Sequence, residues 1–426
     1  MAQRPRGQKI SKARNNIIKT SGEILPDGSV IELVASSKDR LDLLFWNEHR
    51  KTVAPQIEYL GHVYQPPDVH ETMRRAIRFP KNATGYGTAR KLFSQILDLF
   101  ERHVGLAQPE AALMTAWTSS TWFPDCVSSP PTLMISGPDM GHAITLFRLF
   151  NCLCRRPLML ADINRTALFS LARLQSTLLI NRPGLSPKIR DLWSTSNYRG
   201  VYIFGTGDKV LGVVGSKAVF LGMPDTWSDQ DLQFALLPAQ RELLPLNEQQ
   251  QAEMANRFQP QLLMYRLRNL QKVREFHPPG QDLNLPNTEI ARNLAASIQA
   301  EPEVAQAMIP LLRRHEQDTL AQRSYDPNRA IVEVIWAPSH ESKEIGISQV
   351  TELTNALLRN RGETLEYNSA EIGWKLRNLG FYRHRNGRGM VLRFSREHCL
   401  LAHQLAARWG LNLRARDGCS SCASGK

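Results

Sequence analysis

Hydrophobic positions change their period twice along the chain. In the first part, short apolar runs at 29–34, 41–46 and 57–64 read as strands, with turn signals at Pro26-Asp27-Gly28 and in the polar stretch 36–39. From residue 89 the period becomes helical, and a helix over 89–104 places Leu92, Ile96, Leu99 and Phe100 on one face. A second helix, 109–117, leads to the aromatic Trp122-Phe123-Pro124. From residue 132, apolar strands at 132–136, 157–160, 177–180 and 217–221 alternate with helices near 143–154, 165–174 and 187–195. A hairpin of 201–204 with 210–214 turns at Gly205-Thr206-Gly207-Asp208. Near-continuously apolar strands separated by helices predict a parallel sheet covered on both faces.

Residues 249–275 and 287–323 are helical, joined by a Pro- and Gly-containing segment at 277–286. The last compact stretch predicts helices at 330–336, 348–359 and 369–379, the third capped by Ser369 and stopped by Gly380. A hairpin of 382–385 with 390–394 comes next around Asn386-Gly387-Arg388-Gly389, then a helix over 396–409. Three helices and then a basic hairpin is winged-helix architecture. The predicted class is α/β: a parallel-sheet core with an N-terminal β-rich module, a helical region and a C-terminal winged helix. The predicted division is a basic disordered arm (1–20), the β-rich module (21–88), the core (89–248), the helical region (249–325), the winged helix (326–413) and a disordered tail (414–426).

Charge sharpens this picture through its distribution. Of a net +13 over 426 residues, residues 1–20 carry +6 and residues 375–416 carry +9, leaving −2 for the rest. Segregation of this kind fits a polyanionic partner, and double-stranded DNA is the expected one. No apolar run approaches the roughly 20 residues of a membrane span. The most apolar stretch, 146–163, is interrupted by Arg148, Arg155 and Arg156. No apolar leader is visible, so a cytoplasmic protein without a membrane partner is expected.

Six cysteines, at 126, 152, 154, 399, 419 and 422, predict no disulfide framework in such a protein. Cys152 and Cys154 diverge by about 200° on a helix and read as core thiols. Cys419-x-x-Cys422 has ligand spacing, but no second pair stands nearby, Cys399 and His403 being the only further candidates. The tail is therefore expected to be disordered and the protein to hold no metal.

The segment TLMISGPDMGHAITLFRLFNCLCRRPLMLADI, residues 132–163, has the strand–loop–helix rhythm of a phosphate-binding loop. Such a loop needs backbone amides at a helix N-terminus, a lysine for the β/γ-phosphates and a Ser/Thr for Mg²⁺. Here three residues rather than four separate Gly137 from Gly141, His142 replaces the lysine, and Ala143 replaces the hydroxyl. Asp139 adds a negative charge. The strand 177–180 is followed by Asn181-Arg182 instead of an Asp-Glu pair. Arg241 has the character of an arginine finger, and Asp162 and Asp225 lie after strand ends as ligand-contact or cap residues. Gly137, Gly141 and His142 are thus predicted as a vestigial nucleotide site with no catalytic residue and no cofactor, ATP with Mg²⁺ being the one ligand the fold could host.

The order of Ile135-Ser136-Gly137-Pro138, RRPLMLADI, TLLINRP, the hairpin, KAVFLGMPD and RELLPL resembles the AAA-type or RecA-type ATPase core of primase-helicase-like proteins from phages and integrated mobile elements. The stretch from VTELTNALLRNRG to GRGMVL is similar to the winged helix such proteins carry. The resemblance covers about residues 90–410. It implies a P-loop NTPase-like ATPase fold and, as partners, replication proteins or further copies in a homo-oligomer, while only Gly137 and Gly141 keep family roles.

In helix-turn-helix docking the recognition helix enters the major groove. Its exposed set here is Ser369, Ala370, Glu371, Gly373, Trp374, Lys375 and Arg377, with Ile372, Leu376 and Leu379 inward. The wing offers Arg383, His384, Arg385, Asn386 and Arg388 to phosphates or a minor groove. The predicted DNA contacts are Ser369, Trp374, Lys375, Arg377, Arg383, Arg385 and Arg388. Three functions fit these residues: a non-catalytic DNA-binding accessory in replication or regulation of a mobile element, a DNA-stimulated ATPase with an unorthodox loop, and a protein-interaction scaffold. The degenerate loop beside a basic hairpin favours the first.

Overall fold

The period-2 region folds into strands β1 (Asn16–Lys19), β2 (Gly22–Ile24), β3 (Val30–Ser37), β4 (Arg40–Trp46), β5 (Lys51–Ala54), β6 (Ile57–Tyr59) and β7 (His62–Gln65). The structure, a computed structural model, describes residues 16–37, 40–127, 129–161, 171, 173–181, 201–204, 210–212, 215–222, 231–276, 289–324, 326–341, 344–387, 389–411, 413, 414, 419 and 422. The expected helix at 187–195, most of that at 165–174, the turn at 205–208, the linker 277–286, and Asp162, Arg182, Asp225 and Arg388 lie outside the described residues.

Strands β2 to β5 form an antiparallel meander in chain order, and β1 runs parallel to β7, which pairs with β6. The single strand expected at 57–64 is a hairpin, because Leu60 and Gly61 both adopt positive φ (48° and 78°) and reverse the chain. β1 corrects the expectation that residues 1–20 are disordered throughout: residues 16–19 pair with 62–65, and Lys19 meets Asp68 at 3.0 Å.

Strand β3 is covered on both sides. Val30 and Val34 join the cluster around Leu92, Phe93 and Phe100, while Ile31 and Leu33 pack in the cluster containing Met134, Leu178 and Val219. The β-rich stretch therefore shares its core with the helices and parallel sheet C-terminal to it, and the expected divisions at 88 and 248 do not separate compact units. The chain instead divides into Met1–His315 and Glu316–Lys426.

Helices α1 (Glu71–Ala76), α2 (Ala89–Val104) and α3 (Gln108–Ser120) precede the parallel sheet. Every residue of α3 from Ala111 to Ser120 is buried, so it is a central rod without a polar face. The sheet comprises β8 (Thr132–Ser136), β9 (Pro157–Leu160), β10 (Thr177–Asn181), β13 (Lys217–Gly222) and β14 (Asp231–Ala235), with a separate hairpin of β11 (Tyr202–Phe204) and β12 (Val210–Gly212). Its order is β14-β8-β13-β10-β9, all parallel. Four strands lie where the apolar runs predict them. The fifth, DLQFA, has an acidic start and mixed polarity, and pairing with β8 makes it a strand.

Helix α4 (Met140–Leu153) packs Leu146, Phe147, Leu149, Phe150 and Leu153 inward. Helices α5 (Glu248–Arg274), α6 (Glu289–Ser297) and α7 (Pro302–Ser324) come next, α5 opening on a reciprocal capping box of Asn247 and Gln250. Inside this unit the Glu32 carboxylate accepts hydrogen bonds from Arg155 (3.0 Å), Arg156 (2.7 Å) and Arg266 (2.7 Å). Arg266 also grips Asp125 at 2.7 and 2.5 Å. The arginines Arg155 and Arg156, which interrupt the apolar stretch 146–163, are thus interior ion-pair partners. Burial lowers the Arg156 pKa to about 9, aided by the adjacent Arg155 charge. Burial acts on Arg266 in the same sense, but its two carboxylates outweigh it and raise the pKa.

The C-terminal unit contains α8 (Pro327–His340), β15 (Glu344–Gly346), α9 (Ile347–Asn360), α10 (Ser369–Asn378), β16 (Arg383–Asn386), β17 (Gly389–Arg393) and α11 (Arg396–Arg408). Its strands form an antiparallel sheet in the order β15-β17-β16 over a core of Ile331, Ile335, Val350, Ile372, Leu376, Phe381 and Leu392. Two features differ from the sequence reading. Strand β15 is additional, and the cap of α10 is Asn368 rather than Ser369, its side chain accepting from the Ala370 and Glu371 amides while Glu371 reaches back. No helix among the described residues is long and apolar enough to cross a membrane.

The loop after β8 and a candidate nucleic-acid interface

The first candidate site lies where β8 turns into α4. A Cβ on Gly137 would stand 2.4 Å from the Leu236 carbonyl oxygen just beyond β14, so close strand packing alone requires glycine there. Asp139 caps α4: its Oδ1 accepts from the Gly141 amide at 2.8 Å and the His142 amide at 3.2 Å. These are the donors that a bound phosphate would take. The helix N-terminus is thereby satisfied by a carboxylate of its own chain.

His142 does not face the loop opening. It is buried, and its Nε2 lies 2.7 Å from the Val104 carbonyl oxygen at the end of α2. Ala143 is fully buried and offers no metal ligand. Arg241 donates to the Glu101 carbonyl oxygen, also on α2. Gly137, Gly141, His142 and Arg241 thus each have a structural partner, and no lysine or hydroxyl complements them in this loop.

The second candidate site is the surface of α10 and its neighbouring hairpin. Ser369 and Arg377 are exposed, and Trp374 is 64% exposed, which is unusual for a ring of that size. Lys375 is half-buried, with Nζ 4.9 Å from the centre of the Tyr367 ring. All four residues of β16 are exposed. Arg383 lies across Gly373, whose hypothetical Cβ would stand 2.6 Å from Arg383 Nη1. Gly373 is therefore buried, not part of the exposed set, and its missing side chain lets the hairpin close on the helix. Arg385, two residues from Arg383 on the strand, shares its face. Among the predicted DNA contacts the structure brings Ser369, Trp374, Lys375, Arg377, Arg383 and Arg385 to one helix–hairpin region.

A gathering of residue types that can ligate a metal also lies in the C-terminal unit, where the sequence reading expects no metal. His340 at the end of α8, Cys399 and His403 on α11, and Cys419 place one donor atom each within 4.8 Å of one another. Cys422 Sγ stands 3.4 Å from His340 Nε2 and 3.5 Å from His403 Nε2. The Cys419-x-x-Cys422 spacing, with Cys399 and His403 as the further candidates, was legible in the sequence. His340, 63 residues before His403, carries no local signal at all.

The five-stranded parallel sheet, with its first strand flanked by its fourth and fifth, defines a mixed α/β fold consistent with a P-loop-like core. No known family model matches the chain, and no curated protein matches it. Among solved structures it is similar to the apo C-terminal region of NrS-1, at 10% identity and a TM-score of 0.33, over 85% of this chain and 96% of that one. It is also similar to Cdc6p from Pyrobaculum aerophilum, at 10% identity and a TM-score of 0.20, over 70% of this chain and 93% of that one.

Proposed function

We propose that this protein binds double-stranded DNA through its C-terminal unit and does so without hydrolysing ATP. The unit is read as a winged helix, α10 being the recognition helix and the β16–β17 hairpin the wing. The observation that carries the reading is β16, exposed at all four residues, whose Arg383 lies across Gly373 of α10, the helix that carries Trp374, Lys375 and Arg377. Gly373 lets the hairpin close on the helix, and groove binding requires both elements in one register. The self-capped N-terminus of α4 supports the non-catalytic half of the reading. An accessory role in the replication or regulation of a mobile element is the setting that the sequence resemblance implies.

The test is a titration of duplex DNA with the full chain at stepped salt concentrations, read by anisotropy. Binding should weaken steeply as salt rises, because phosphate contacts release counterions. Absence of binding at low salt rejects the reading and leaves the basic face to a protein partner.

A further inference from the structure

We infer that His340, Cys399, His403 and Cys419 form a structural zinc site that fastens Cys419 to helices α8 and α11. Five donor atoms meet from three separate stretches of the C-terminal unit. Cys399 Sγ lies 3.9 Å from Cys419 Sγ, Cys419 Sγ lies 3.5 Å from His403 Nε2, and His403 Nε2 lies 3.1 Å from His340 Nε2.

Those separations match the edges of a zinc tetrahedron. With Zn–S bonds of about 2.3 Å and Zn–N bonds of about 2.05 Å, the edges are about 3.8 Å for S···S, about 3.5 Å for N···S and about 3.3 Å for N···N. A disulfide would instead need its sulfurs about 2.05 Å apart. Hydrogen bonding alone explains the gathering poorly, since thiols are weak donors and two neutral imidazoles share only one proton along an Nε2···Nε2 contact.

The surroundings orient the ligands as a metal requires. His340 Nδ1 lies 2.7 Å from the Trp336 carbonyl oxygen and donates its proton there, which leaves Nε2 unprotonated and directed at the cluster. The Trp336 ring packs against both imidazoles, 4.4 Å from His340 and 4.7 Å from His403 between ring centres, and its Nε1 donates to the Arg414 carbonyl oxygen at 3.1 Å. Cys399 and His403 stand one helical turn apart on α11 and so present donors on one face. Cys422, against both imidazoles, is a fifth donor beyond the four a structural site takes.

Protons and charge balance on binding. The Cys399 and Cys419 thiols each release a proton, two thiolates and two neutral imidazoles bind Zn²⁺, and the completed site is neutral. Mixed sulfur and nitrogen ligands in a tetrahedron select zinc over Mg²⁺ and Ca²⁺, which take oxygen. The consequence is a cross-link from Cys419 to α8 and α11, in a unit whose core is otherwise a cluster of apolar side chains.

The experiment uses the untagged full chain, expressed with zinc in the medium and purified without chelator. It should carry about one zinc per molecule. Exchange for Co²⁺ should give intense visible bands of a tetrahedral ion together with near-ultraviolet thiolate-to-cobalt bands. The triple variant Cys399→Ser, Cys419→Ser and Cys422→Ser should abolish the thiolate bands and lower retained zinc by about tenfold or more. If that variant does not fold, the wild-type cobalt spectrum decides by itself. A spectrum without thiolate bands, or a Cys399–Cys419 disulfide in zinc-free protein, overturns the inference.

Discussion

Arg266 Nε lies 2.7 Å from Glu32 Oε1, although 234 residues separate the two and both side chains are at most 2% exposed. Arg155 and Arg156 converge on the same carboxylate, so one acid on β3 neutralises part of three guanidinium groups. This pairing ties the N-terminal meander to the segment leading into β9 and to helix α5. Glu32→Gln should destabilise the protein by about 3 kcal/mol or more, because it leaves buried cations uncompensated. Urea denaturation measures it. A loss under about 1 kcal/mol, the range of an exposed pair, would reject a structural role for the cluster.

The same carboxylates set the response to acid. Burial alone raises the Glu32 pKa, but Arg155, Arg266 and Arg156 outweigh it and hold the group below the ordinary range. Asp125 behaves likewise, burial being overridden chiefly by Arg266. On lowering the pH, unfolded carboxylates take up protons from about pH 4 downward while these two stay ionised in the fold. Their contribution is therefore complete above that range and is lost as pH falls toward the folded values. Melting temperature should drop as the pH falls below about 4, and Glu32→Gln should flatten that drop. A flat wild-type profile would contradict the assignment.

No Mg²⁺-dependent ATPase activity is expected, with or without DNA. Asp139 occupies the amides of Gly141 and His142, and His142 is turned toward Val104. Asp139→Ala should cost about 1 kcal/mol of stability through loss of the cap and should create no activity. His142→Lys with Ala143→Thr should not restore turnover, since the loop length and Asn181 remain unchanged. Wild-type turnover above a His142→Ala control would show that the loop is a working phosphate site.

Removing the charges of Arg383 and Arg385 tests the wing. The double alanine variant should bind duplex DNA more weakly regardless of sequence. Its log–log salt slope should be shallower by about 1.8, which corresponds to two lost phosphate contacts. An unchanged slope rejects the wing as a phosphate contact and favours a protein-interaction scaffold.

Deletion of residues 1–20 should lower the melting temperature, because it strips β1 from β7 and removes Ile18 from the apolar cluster it packs against. The basic composition of this stretch predicts instead a melting temperature left nearly intact. Differential scanning calorimetry of the two chains distinguishes them, an unchanged melting temperature showing that β1 contributes nothing to the fold.

Local patterns were informative wherever one face of one element decides the structure. Helices α9, α10 and α11 and the hairpin between the last two lie close to where apolar spacing and Gly380 place them. Four strands of the parallel sheet lie on continuous apolar runs. The loop GPDMGHA was legible as lacking the lysine and hydroxyl of a phosphate site, because those are single residues with single jobs.

By itself the sequence determined element type, the clustering of positive charge and the chemical poverty of the loop after β8, since each depends on neighbours within a turn or a strand. Tertiary structure alone decided that β14 joins β8, that Asp139 turns its carboxylate onto its own helix, that Glu32 meets three arginines, and that His340 meets Cys399, His403 and Cys419. Apart from the Asp139 cap, these are pairings across tens to hundreds of residues. Their energy arises only when burial removes water from both partners at once, and no periodicity in the chain records which distant partner that is.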